Sequence, residues 1–185
     1  MMATLLVSGT VVAQHVNFGI KGGLNLSNIS QENNESFDQK VGYHFGILTH
    51  IHVTDQFALQ PEIVYSVQGT KYKVGNIETK LNLDYVNVPV LLQYMFDNGF
   101  RLQAGPQVGF LNKASTKTGD VNNSVKDSFE PIEIGIAMGI GYVNPPTGFG
   151  FDLRYNAGLT DISKGSEEAY NRAFQVGVFY LFKHN

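Results

Sequence analysis

The chain of 185 residues contains no cysteine and no tryptophan, and nowhere does it run apolar for long enough to cross a membrane as a helix. The missing thiols exclude cysteine chemistry, Cys-ligated metals and a disulfide framework. An excess of positive charge is missing as well. Lys and Arg total 13 against 16 Asp and Glu, a formal net charge of −3, so no basic surface argues for nucleic acid. What the chain does have is 20 Gly, 13 Phe and 9 Tyr in a length that fits one domain.

These residues are arranged with a period of two. In residues 16–26, Val16, Phe18, Ile20, Leu24 and Leu26 share one parity, while Lys21 and Asn25 take the other. Residues 41–53 repeat the pattern, with Val41, Tyr43, Phe45 and Ile47 against His44, His50 and His52. Further alternating stretches cover 57–68, 81–96, 100–111, 129–143, 149–159 and 172–182. Period two means strands with two unlike faces. In 81–96 the apolar parity switches near Asp84 and Tyr85, as a one-residue bulge would produce.

The connections alternate in length. Tight turns are expected at 54–56, 97–99 and 144–148, and long polar loops at 27–40, 69–80, 112–128 and 160–171. The expected fold is therefore all-β: an eight-stranded antiparallel up-and-down transmembrane β-barrel, with the termini and tight turns periplasmic and the long loops outside. A lipocalin-like soluble barrel also alternates, but it turns its apolar face inward. Here the bulky parity is Ile, Phe and Leu, and the Gly-rich polar parity suits a narrow lumen better. Phe57, Phe96, Phe100, Tyr142, Phe149 and Phe182 flank the tight turns or the C-terminus, as an interfacial aromatic girdle would. Residues 1–13 read as a shortened secretory signal, leaving 14–185 as the barrel domain.

Several short motifs, in order, carry a family resemblance. They are GIKGGLNLS at 19–27, LQPEIVYS at 59–66, VPVLL at 88–92, LQAGPQVG at 102–109 and DLRYNAGLT at 152–160, followed by residues 174–182. In these the chain resembles the outer-membrane β-barrel domain family of Bacteroidota, the PorT-type or "porin family" proteins. The resemblance implies outer-membrane lipid as surroundings and insertion by the barrel-assembly machinery, with Tyr180 and Phe182 as the aromatic insertion signal. It implies no catalytic residues and no cofactor. A further envelope protein as partner is left open.

The candidate chemistry lies on the inward parity. Lys21, Glu62, Arg101, Glu133, Asp152 and Arg154 put three cations and three anions into a low-dielectric lumen, where they are expected to pair. Such a network closes the barrel or, if the pairs exchange, gates it. His44, His50 and His52 share a face, but without a carboxylate or thiolate partner in sequence they read as hydrogen-bonded residues rather than a metal site. Ser66 has no nucleophile-elbow context, so no hydrolase set is visible. The expected function is structural or interaction-based and not enzymatic. The alternatives are a small-solute channel, a lipid-acting enzyme and a soluble carrier.

Overall fold

The computed structural model describes residues 16–31, 38–74, 77–119 and 121–182. The expected signal segment lies outside them, as do residues 32–37 and the three residues after Phe182.

The described residues form nine strands. They are β1 (Val16–Gln31), β2 (Asp38–His52), β3 (Phe57–Val74), β4 (Ile77–Met95), β5 (Phe100–Thr118), β6 (Val121–Ser124), β7 (Ile132–Val143), β8 (Phe149–Gly158) and β9 (Ala169–Leu181). Eight of them close into a ring in the order β4-β3-β2-β1-β9-β8-β7-β5, with β5 pairing back onto β4. All pairings are antiparallel, and the seam joins β1 to β9 from Gly19↔Leu181 to Gln31↔Ala169. The small β6 is a flap on the far end of β5. Closure leaves the ring without a free edge, which is what a sheet in hydrocarbon requires.

The two parities take opposite sides of the wall. Phe18, Leu24, Tyr43, Phe45, Ile47 and Phe174 each remain more than half exposed on the outside, while Lys21, Asn25, His44 and Gln175 are buried inside. Water would not tolerate so wide a belt of bulky apolar side chains around a monomer; a bilayer solvates it. The three tight turns fall between β2 and β3, β4 and β5, and β7 and β8, at the end where β1 begins and β9 ends. Gly99 takes φ +87 in the second of them, a conformation that favours glycine.

The opposite end departs from the expected long loops. The connection between β3 and β4 is a hairpin paired as far as Val74↔Ile77. Likewise β5 runs on to Thr118, turns at Gly119 and returns as β6. Their polar, Thr- and Lys-rich sequences look like loops because neither face there meets lipid, so the apolar half of the alternation is absent. The residue ladders nonetheless continue, and strands of 18 and 19 residues exceed the 9–11 that a bilayer needs.

The parity switch in β4 also has a different cause from the one expected. The register does shift between Asp84 and Tyr85, but the extra residue is Asn112 on β5, since Asp84 faces Lys113 and Tyr85 faces Leu111. Inward parity along β4 is unbroken through Leu81, Leu83, Tyr85, Asn87, Leu91 and Gln93. Leu81 and Leu83 point into the barrel.

Candidate functional site

The lumen is stratified, and each stratum follows from which residues the inward parity supplies at that depth. At the loop end Ile29, Leu81, Leu83, Tyr85, Leu111, Ala114, Ile162 and Ala169 form an apolar cluster inside the ring. Ile162 comes from the connection between β8 and β9 and is fully buried. That connection is pinned in place. Asp161 Oδ1 accepts from the backbone N–H of Ser163 at 2.9 Å and of Ala169 at 2.8 Å. Ile162 N–H donates to Ala169 O, and Glu130 N–H donates to Ile162 O, both at 2.9 Å. The result is an apolar stopper in the outer half of the barrel.

Below it lies the charged layer. Arg154 on β8 donates to Glu62 on β3 through both ends of its guanidinium, Nη1 to Oε2 at 2.8 Å and Nη2 to Oε1 at 2.9 Å. In the ring these strands are four places apart out of eight, so the pair spans the full width of the lumen. Lys21 on β1 lies 3.0 Å from Asp152 and 3.3 Å from Glu62, and Arg154 reaches Asp152 at 3.5 Å. Two cations and two anions thus share one buried knot of zero net charge. Gln60 supports it by donating to Glu62 Oε1 at 2.7 Å.

The six inward charges do not all pair, contrary to expectation. Arg101 and Glu133 stay out of the knot, because the register sets them at opposite ends of the barrel. Arg101 pairs across to Gly141 near the tight turns, while Glu133 faces Gly109 eight residues back along β7, about 27 Å away at strand rise. Arg101 instead stacks on Phe179, 4.7 Å from the ring centre, and donates to Gln93 at 3.1 Å. Among the described residues, Glu133 receives a long contact from Asn171 at 3.5 Å.

Two of the three histidines are held by amides. His44 meets Asn25 Oδ1 at 2.7 Å, and His50 meets Gln60 Oε1 at 3.3 Å. His52 packs edge-on against the His50 ring at 4.7 Å. Among the described residues no three His, Asp or Glu gather as metal ligands would. Ser66 is buried and accepts from Asn25 and Gln68, each at 2.9 Å.

Two features of the lumen carried signals that the alternation alone did not expose. One is the set of inward glycines. A Cβ at Gly177 would stand 3.0 Å from His44 Nε2 and 3.1 Å from Asp152 Oδ1, and one at Gly141 would stand 3.2 Å from Arg101 Cγ. The long polar side chains therefore lie in slots cut by glycine on neighbouring strands. The other is the apolar inward parity of Leu81 and Leu83, which with Tyr85 carries the stopper on β4.

On the outside, the six aromatics near the turns are all half-buried or exposed. Phe57, Tyr94, Phe96 and Phe100 form a chain of ring contacts with centroids 4.9–5.6 Å apart. Tyr142 packs separately, against Phe151 at 5.7 Å. Phe149 is exposed on β8, and Tyr180 and Phe182 stack edge to face at 5.4 Å.

Comparison with known proteins agrees with this architecture. A family model described as an outer membrane protein beta-barrel domain matches residues 12–164. Among solved structures, Neisserial surface protein A is 15% identical over 89% of this chain and 97% of its own, with a TM-score of 0.61. The attachment invasion locus protein of Yersinia pestis is 15% identical over 90% of this chain and 98% of its own, with a TM-score of 0.56. At such identities the likeness is one of fold. No curated protein matches the sequence closely enough to count as a relative.

Proposed function

The chain belongs to the outer membrane protein beta-barrel domain family and resides in an outer membrane, and from this we propose that it works as a sealed barrel, acting through what it displays at its loop end rather than through what it conducts. The observation that carries the proposal is the Glu62–Arg154 bridge, which crosses the lumen from wall to wall beneath the apolar stopper. A solute would have to part a desolvated two-pronged ion pair and then displace Ile162. Both steps are costly, since each leaves buried groups without partners.

In this reading the tight turns and termini are periplasmic. The hairpins β3–β4 and β5–β6 stand outside the cell, available to an envelope or external partner. The turn-end aromatics anchor the barrel at one membrane interface, and Tyr180 and Phe182 mark the last strand for the assembly machinery. The ordered motifs from Gly19 to Thr160 favour the Bacteroidota PorT-type branch of the family. Catalysis has no part in the proposal: His44 and His50 are engaged by amide side chains rather than by a hydroxyl nucleophile.

A small-solute channel is the second reading, favoured by the polar middle of the lumen. The test is conductance of the refolded protein in a planar bilayer. Stable insertion without current supports the sealed barrel. Discrete, salt-dependent steps from the unaltered protein would replace it with the channel.

A further inference from the structure

The lumen is not filled at its turn end. A cavity of about 370 Å³ lies there, within the range of small-molecule sites, and it is bordered by turn residues Asp55, Asp97 and Gly148, so it reaches the barrel mouth. Arg101 lines it while being only 3% exposed.

This arginine is built for a ligand in three respects. Its guanidinium is fixed, one face on Phe179 and Nη1 on Gln93, which is itself held by Gln103 at 2.9 Å. Its Nε is buried and has no hydrogen-bond partner. Among the described residues, no carboxylate forms an ion pair with it, although its buried counterparts Lys21 and Arg154 each have two. Lys21 and Arg154 are neutralised in the knot, whereas Arg101 faces a cavity.

The remaining walls narrow the chemistry. Met95, Val143 and Leu181 give the cavity apolar sides, which a bare inorganic anion would leave unused. Asp55 and Asp97, both exposed at the rim, add negative charge that repels a ligand carrying more than one. We propose that the turn-end cavity binds a small organic monocarboxylate, its carboxylate on Arg101 and its apolar body against Met95, Val143 and Leu181. A planar fork of donors matches a carboxylate better than it matches a neutral group of the same shape.

The test uses the full chain refolded into phosphatidylcholine nanodiscs, with 4-(4-fluorophenyl)butanoate as the probe followed by fluorine NMR. Its amide, the matching amine and the matching phosphonate dianion serve as comparisons, and empty nanodiscs as the blank. Saturable one-to-one binding of the carboxylate alone is expected, weakened roughly tenfold or more by Arg101→Gln and less by Arg101→Lys. Joint Asp55→Asn and Asp97→Asn replacement is expected to admit the dianion. Equal binding of acid and amide, no binding beyond the blank, or undiminished binding by Arg101→Gln would overturn the proposal. If Arg101→Gln does not refold, Met95→Trp fills the cavity from its wall, and unchanged binding in that variant would overturn it equally.

Discussion

Glu62 and Arg154 sit on opposite walls of the barrel, 92 residues apart in sequence, and meet in the lumen through two parallel hydrogen bonds of 2.8 and 2.9 Å. Because both are buried, the pair fixes the distance between β3 and β8 in a way that no neighbouring-strand ladder can. Replacing Glu62 by Ala leaves Arg154 and Lys21 with Asp152 alone. The expected loss is about 3–5 kcal/mol of stability, the usual result of stranding a buried partner. Urea unfolding in lipid vesicles checks it, and joint replacement of Glu62 by Leu and Arg154 by Met should restore most of the loss.

The glycine slots make a separate prediction. Gly177→Leu places a side chain where His44 and Asp152 now lie, so either the knot or the β1–β9 seam must shift. Overpacking of this kind costs about 1–3 kcal/mol or more. The refolding yield of this variant should drop well below that of Val178→Leu, one residue on and facing lipid with half its surface exposed. Equal yields would mean that the lumen has slack.

On the outer wall, Val90 and Ile136 share the lipid-facing parity. Lysine at either is expected to cost about 2–4 kcal/mol if the site lies near the bilayer midplane, whereas lysine at Val121 in the loop-end flap should cost almost nothing. Partitioning between folded and unfolded forms in vesicles measures the difference. A cost at Val121 equal to that at Val90 would place the membrane band elsewhere on the wall.

Because the lumen has two closures, breaking one is not enough to open it. The double variant Glu62→Ala with Arg154→Ala should remain silent in a planar bilayer while the Ile162 stopper is intact. Adding Ile162→Asp should produce current. Conductance from the first variant alone would show that the charged layer is the sole barrier.

The wall was readable from sequence and the lumen only partly so. Alternation is a property of each strand by itself, so Phe18, Ile20 and Leu24 declare the lipid face without any knowledge of neighbours. The tight turns were equally legible, because Asp97-Asn98-Gly99 sets its own geometry. Pairing across the lumen depends instead on register summed around eight strands. That is why Arg101 and Glu133 looked like partners for the knot and are not. The stopper was hidden for a related reason: Leu81 and Leu83 are apolar on the inward side, and a rule that equates apolar with outward reads them as a phase slip. The hairpins beyond the membrane failed as strands in sequence because their stability comes from continuing ladders that already exist below them.

The seam between β1 and β9 has a bearing on how the chain is made. Its two partners are the first and last strands described, so the ring cannot close until β9 exists. Up to that moment every intermediate carries two unsatisfied edges and a belt of bare Phe, Ile and Leu, and both invite association with other chains. A polypeptide halted before Ala169 is not a smaller barrel but an open sheet. The thirteen residues of β9 decide whether all that precedes them becomes a wall or a precipitate.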